Sequence, residues 1–282
     1  MKIREARKKD RKDIIKIASD TWEGWDYIPQ LLDEWFAEGG LFVAVDKGKV
    51  VGITKTTVLS YGELWLEGIR VKKQLRGKGI GKELAFFQLK KAMEQNPRVI
   101  RLSTAEVNTE SIKLIEKLGF RKIKEFTYMQ LDNLKPKEFC RDITKEKDKD
   151  KILEFITISN LLDYYKGLFP WSWIFREVTP ELISFLIDKE QVFVRGQKSI
   201  ISLIVLTPHR YNKRTLEIGL IYGSNKEMFN LLEFAKDYAV KNDFEKITLF
   251  SPSKRVENTA KEAGFTFPNR FKKVAVYELV SG

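Results

Sequence analysis

The residue types best suited to chemistry stand close together at Gln74-Leu75-Arg76-Gly77-Lys78-Gly79-Ile80-Gly81-Lys82. Three glycines at this spacing let consecutive backbone N–H groups point into one concavity, which suits an anion. Lys72, Lys73, Arg76, Lys78 and Lys82 crowd the same dozen residues with no acid among them. Just upstream, Glu67 is a carboxylate that could take a proton. A third group lies nearer the start, where Ile17 to Asp46 contains no Lys or Arg but carries Asp20, Glu23, Asp26, Asp33, Glu34, Glu38 and Asp46. Trp22, Trp25, Tyr27 and Trp35 are interleaved with these acids, and carboxylates beside aromatic faces attract cations. The structural alternative is that the tryptophans are core and the acids line a solvated helix face.

Elements that would position these groups follow from periodicity. Leu64 to Val71 reads as a strand, and Glu83 to about Gln95 as a helix with Leu84, Ala85, Leu89, Ala92 and Met93 at helical spacing. The glycine run therefore joins a strand to a helix, whose N-terminus adds roughly half a positive charge. Ile3 to Ala6 predicts a strand, and Asp10 to Ala18 a helix capped by Asp10 with Asp13 three residues on. Leu41–Val45 and Val50–Thr56 predict a hairpin around Asp46-Lys47-Gly48-Lys49. Val99–Thr104 is a further strand, Ser111–Leu118 a helix ended by Gly119, and Lys122–Leu131 a last strand.

The spacing excludes two common anion loops. The residue five before Gly81 is Arg76 and the residue after Lys82 is Glu83, so G-x-x-x-x-G-K-[ST] fails; Lys82 stands where G-x-G-x-x-G needs glycine. What fits is [Q/R]-x-x-G-x-[G/A], and this stretch resembles the coenzyme A pyrophosphate loop of the GNAT superfamily of acyl-CoA-dependent N-acyltransferases. A second block, Asn108-Thr109-Glu110-Ser111-Ile112-Lys113-Leu114-Ile115-Glu116-Lys117-Leu118-Gly119-Phe120, is similar to that family's N-x-x-[A/S]-x-x-L-Y-E-K-x-G-F.

The resemblance implies an α/β (α+β) fold with a mixed, mostly antiparallel sheet flanked by helices. It implies acetyl-CoA as cofactor, with the backbone of Ile69, Arg70 and Val71 pairing with the pantetheine arm. Gln74, Arg76, Gly77, Lys78, Gly79, Ile80, Gly81 and Lys82 would form the pyrophosphate cradle, with Asn108 and Ser111 also on the cofactor side. Trp22, Trp25, Tyr27 and Trp35 would lie on the side of a small-molecule or peptide amine acceptor. Glu67 is the candidate base, its alternative role being a strand-edge salt bridge, and Glu106 is a poorer second choice. The chain departs from the pattern at Ile115, where the family commonly has a tyrosine that protonates the leaving thiolate. Tyr27, Tyr61 and Tyr128 are weak substitutes, the thiolate could leave unaided, or catalysis could be lost.

The second half repeats the first. Leu66-Glu67-Gly68-Ile69 is matched by Leu216-Glu217-Ile218-Gly219, and Lys117-Leu118-Gly119-Phe120 by Glu262-Ala263-Gly264-Phe265. Glu67 to Glu217 is an offset of 217 − 67 = 150, whereas Gly119 to Gly264 is 264 − 119 = 145. The five missing residues fall at the anion loop, because Gly223-Ser224-Asn225 runs straight into a helix. This predicts two tandem GNAT-like domains, 1–136 binding acetyl-CoA and 137–282 lacking the cradle, the second completing or covering the acceptor cleft.

At 282 residues with 43% hydrophobic content, the chain can bury two cores. No apolar run approaches the roughly twenty residues of a membrane helix, and the N-terminus has no apolar signal core, so a cytoplasmic monomer or homodimer is expected. One cysteine, Cys140, excludes an internal disulfide, and one histidine, His209, argues against a metal site. A net charge of +12 is spread over both halves among abundant acids, which argues against a nucleic-acid face. An N-acetyltransferase is therefore expected; an acyl-CoA-binding regulator, favoured by Ile115, and a nucleic-acid-associated basic protein are the other two classes.

Overall fold

The computed structural model describes residues 1–21, 26–60, 62–139, 141–196 and 198–280. Cys140, Trp22, Trp25 and Tyr61 lie outside them. The chain forms two compact units: residues 1–102, 110–121 and 277–282, and residues 103–109 and 122–276. Strand 121–131 groups almost wholly with the second unit, and the last residues return to the first.

In chain order the elements are β1 (Lys2–Glu5), α1 (Arg11–Ser19), α2 (Ile28–Glu38), β2 (Leu41–Asp46), β3 (Lys49–Ser60), β4 (Glu63–Val71), α3 (Ile80–Met93), β5 (Val99–Ala105), α4 (Thr109–Lys117) and β6 (Arg121–Leu131). They continue as β7 (Ile143–Lys145), α5 (Lys149–Ile158), α6 (Leu161–Tyr165), β8 (Leu168–Trp171), β9 (Ile174–Glu177), α7 (Pro180–Asp188), β10 (Val192–Arg195) and β11 (Ser202–Pro208). The chain ends with β12 (Thr215–Tyr222), α8 (Asn225–Lys241), β13 (Lys246–Ser251), α9 (Lys254–Glu262) and β14 (Lys273–Val280). The expected mixed sheet with flanking helices is therefore present, and each predicted element of the first 131 residues is found with its ends moved by a few residues.

The first unit orders its strands β1-β2-β3-β4-β5, with the end of β14 beside β5. β1 to β4 are antiparallel and β4 to β5 parallel. Leu84 of α3 packs on Ala44 and Val51, with Ile69, Val71 and Ile80 around it. Burying such a leucine contributes about 1.5–3 kcal/mol and fixes the start of α3 over the end of β4. Asp10 holds the position before α1 but does not cap it. Its carboxylate instead takes the Arg4 guanidinium at 2.7 and 2.9 Å and the Arg7 N–H at 2.7 Å.

The return of β14 is anchored by charge. Arg101 on β5 donates to Glu63 of β4 at 2.5 Å and to Glu278 of β14 at 2.6 Å, and Glu63 is 1% exposed. Arg101→Leu would remove the cation shared by two carboxylates, one of them, Glu63, buried. Losing one partner of a buried pair costs about 3–5 kcal/mol, so urea unfolding should show the first unit weakened by that order. A loss below about 1 kcal/mol would contradict the anchoring role.

The second unit orders its strands β6-β13-β12-β11-β10-β7, with the start of β14 bordering β6. β12 and β13 are its parallel pair. Its core gathers Leu231, Leu232 and Ala235 of α8 against Ile204, Leu206, Ile218 and Leu249 of the sheet. β7 ends this strand order, antiparallel to β10.

Candidate active site

Strand β4 is built to break its own pairing. Lys55 of β3 faces Glu67, but Ile53 faces Arg70, so β4 carries one extra residue there. Gly68 occupies the bulge at φ +75°, and a Cβ on it would lie 2.8 Å from the Trp35 ring. Only glycine meets both the left-handed backbone and the close approach. Gln88 of α3, 1% exposed, bonds the Lys55 carbonyl at 2.6 Å and the Glu67 carbonyl at 3.4 Å. On its other side β4 pairs with β5 only from Glu63 to Trp65, among the described residues. Beyond Trp65 the parallel strands part, leaving the edge of Ile69, Arg70 and Val71 without a β5 partner.

The glycine run lies at the end of that edge. Lys73–Leu75, including Gln74, form one 3-10 turn, and Arg76 folds back so that its Nε donates to the Val71 carbonyl at 3.2 Å. Gly77 and Gly79 are left-handed at φ +77° and +83°, and a Cβ on either would meet open space. Gly79 is the N-cap of α3 and supplies no side-chain cap. Among the described residues, the first helical amide with a backbone acceptor is that of Glu83, bonded to the Gly79 carbonyl at 3.0 Å. The amides of Ile80, Gly81 and Lys82 thus head an uncapped helix of fourteen residues among basic side chains. An uncapped N-terminus, a glycine turn with open space above it and a strand edge that β5 does not cover fit a diphosphate on a long extended arm.

On the other side of β4, Glu67 is half-buried and its Oε1 accepts the Thr57 hydroxyl at 2.7 Å. Arg70 sends its side chain to Asp26, with Nε to Oδ2 at 2.5 Å, and its guanidinium lies 5.6 Å from the Tyr27 ring centre. Burial first, then the Glu67 charge, raises the Tyr27 phenol, and Arg70 opposes this. Tyr27 meets Trp35 edge-on at 6.1 Å, but Trp35 is 0% exposed and belongs to the core behind Gly68. Three of the acids are met by bases: Asp26 by Arg70, Asp33 by Arg11 and Glu38 by Lys55. That part of the acidic stretch is structural.

Asn108 falls in the second unit, where its amide donates to the Thr104 hydroxyl at 3.2 Å; Ser111 is exposed on α4. Ile115 is buried on α4. Glu106 and Tyr128 also belong to the second unit; Glu106 accepts the Lys272 N–H at 3.0 Å. Sequence reasoning named Asp26 only as one acid of the cation-attracting stretch and missed Thr57, which bonds Glu67.

A profile of the acetyltransferase (GNAT) family matches residues 11–120, the segment that carries this loop, strand edge and carboxylate. The front segment belongs to the GNAT family. Among curated proteins, the chain is similar to a histidine N-acetyltransferase of Scomber australasicus, 33% identical over 103 residues, covering 35% of this chain and 31% of that protein. The chain thus spans about a third of the length of that relative. The whole fold is similar to a GCN5-related N-acetyltransferase from Sphaerobacter thermophilus (TM-score 0.70, 13% identity, 99% and 95% of the two chains). It is also similar to a tandem GNAT protein from the clavulanic acid biosynthesis pathway (TM-score 0.62, 10% identity, 100% and 98%).

The second unit differs from the GNAT segment where an anion would sit. Its helix α8 is capped by Ser224, whose hydroxyl accepts the Glu227 N–H at 3.2 Å. Arg255 donates to the Gly223 carbonyl and, at 2.8 Å, to the Asn225 side chain. One helix-start amide, of the kind that stays open in the first unit, is here taken by the chain's own side chain. Among the described residues no group of three or more acids, histidines or cysteines could hold a metal, and no helix is long and apolar enough to cross a membrane.

Proposed function

We propose that this protein is an acetyl-CoA-dependent N-acetyltransferase acting on a small primary amine, with residues 1–136 as the coenzyme-binding domain. The observation that carries this reading is the uncapped start of α3 beside the edge of β4 that β5 does not cover. Bound there, acetyl-CoA would supply an acetyl thioester open to direct attack, so the chain needs no covalent nucleophile. The amides of residues 77–82 hold the diphosphate, and the Ile69–Val71 backbone pairs with the extended arm. Glu67, kept in place by Thr57, removes the proton of the ammonium directly or through water. Tyr27 and the Arg70–Asp26 pair wall the acceptor side; holding the two reactants in register supplies much of the acceleration. Similarity to a histidine N-acetyltransferase supports a small amine as acceptor.

A second reading, an acyl-CoA-binding regulator, is favoured by Ile115, which has no proton to give. Coenzyme release with acetyl-CoA and a panel of histidine, polyamines, basic peptides and amines of low pKa separates the two. Turnover on a small amine, with cationic acceptors preferred, is the expected result. Preference for the low-pKa amines would end the cationic assignment, and tight acetyl-CoA binding without turnover on any amine would favour the regulator.

A further inference from the structure

The two units carry the same pair of side chains and use it differently. Thr57 and Glu67 stand ten residues apart, and Thr207 and Glu217 repeat that spacing 150 residues later. In the first unit the pair closes on itself through the 2.7 Å bond described above. In the second unit Thr207 faces Glu217 across β11 and β12, and Thr248 faces Glu217 from β13. The three side chains share one face of the sheet, with opposite Cβ atoms about 5 Å apart. Thr207 and Glu217 are both 0% exposed, yet Thr207 Oγ1 and Glu217 Oε1 have no protein partner among the described residues.

Only the other carboxylate oxygen is held. Glu217 Oε2 accepts the Ser172 N–H at 2.7 Å and the Ser172 hydroxyl at 3.0 Å, and that hydroxyl in turn accepts the Arg210 N–H at 2.9 Å. Ser172 and Trp173 are the left-handed turn, at φ 52° and 74°, that joins β8 to β9. The hairpin tip is thus fastened over the carboxylate by one oxygen, leaving the second oxygen open. His209 directly follows β11, and its backbone N–H donates to the Thr215 carbonyl at the start of β12 at 3.0 Å. It is buried, and its Nδ1 also lacks a protein partner among the described residues.

Buried polar atoms without partners are rare, because each forfeits the hydrogen bonds that water would give it. All three open atoms here can accept. Burial, then the Arg210 charge, lowers His209 to about 4, so its ring is neutral at pH 7 and one nitrogen offers a lone pair. Thr248 Oγ1, which faces Glu217 from β13, is open as well among the described residues, so several acceptors near one carboxylate match a group with N–H donors and a positive charge. We propose that the second unit binds the primary ammonium group of a small alkylamine through Glu217 Oε1, Thr207 Oγ1 and His209 Nδ1. This assignment does not depend on the acetyltransferase reading.

The site has a proton signature. Burial raises Glu217 from 4.5 to about 8, with the Ser172 donors opposing, so the free group is mostly protonated at pH 7. The Tyr128 phenol from β6, which lies by Thr248, feels the Glu217 charge, Ser172 bonds that carboxylate from the hairpin, and His209 and Arg210 follow β11, with the Arg210 N–H on the Ser172 hydroxyl. The folded chain keeps a proton that the unfolded chain gives up, so stability falls as pH rises from 4.5 to about 8. An alkylammonium stays charged through pH 9 and takes the carboxylate form. Binding at pH 7 therefore displaces close to one proton, and affinity rises about tenfold from pH 7 to pH 9.

Titration calorimetry of ethylammonium chloride into the full chain, in two buffers of different ionisation enthalpy, tests this. One saturable site is expected, with that proton release and that pH dependence, persisting in Glu67→Gln and lost in Glu217→Gln. Thr207→Val should weaken it at least about fivefold, and tetramethylammonium, which has no N–H, should not bind. No saturable heat, as bound water alone would give, would overturn the proposal; so would binding unchanged by Glu217→Gln or without proton release. If Glu217→Gln does not fold, Thr207→Val and the proton count on the unaltered chain decide.

Discussion

Gly79→Val is expected to weaken acetyl-CoA binding by at least about 100-fold, measured by titration calorimetry, while the protein stays folded. Gly79 sits at φ +83° as the N-cap of α3, a conformation that a β-branched residue resists. A Cβ there meets no protein atom within 4 Å, so no collision compels unfolding. The substitution instead turns the loop away from its left-handed path and puts methyl groups where the amides of residues 77–82 converge. A 100-fold loss corresponds to about 2.7 kcal/mol, which is reasonable for an anion held mainly by main-chain N–H groups and the helix end. Binding within about threefold of the parent would show that the glycines serve only a tight turn.

Glu67→Gln is expected to lower kcat by about 100-fold with acetyl-CoA affinity unchanged. General-base removal typically costs 10² to 10⁴, and the change keeps the shape that receives the Thr57 hydroxyl at 2.7 Å. The acidic limb of the pH–rate profile, reported by coenzyme release, should disappear with the carboxylate. The competing view makes Glu67 a strand-edge ion-pair residue, with Glu217 as its counterpart. Glu217 does not support it: it is fully buried, and its hydrogen bonds among the described residues come from Ser172. An unaltered kcat and pH profile in Glu67→Gln would remove that residue from the chemistry.

What was legible in the sequence was local. The strand–glycine–helix run of residues 64–82 could be read because apolar periodicity and glycine spacing act over a few residues, and β4 and α3 fall where expected. The second half was expected from its five-residue shortfall to have a shorter turn at the corresponding place, and there Ser224 caps α8 with its own hydroxyl. Long-range pairings were not legible. Asp26 and Arg70 are 44 residues apart, and nothing near either one announces the other. Trp35 looked like part of a cation-attracting face, but the bulge at Gly68 lets its ring sit in the core. The return of residues 277–282 to the first unit depends on Arg101 and Glu278, 177 residues apart. The burial of Glu217 depends on a hairpin tip 45 residues away.

The central claim is that one helix start in this chain is open to a diphosphate and the other is closed by its own side chains. The stoichiometry of acetyl-CoA binding to the full chain tests it most directly. The account predicts one molecule per chain, abolished by Gly79→Val and retained in Ser224→Ala; two molecules per chain, none at saturating coenzyme, or one that survives Gly79→Val would contradict it.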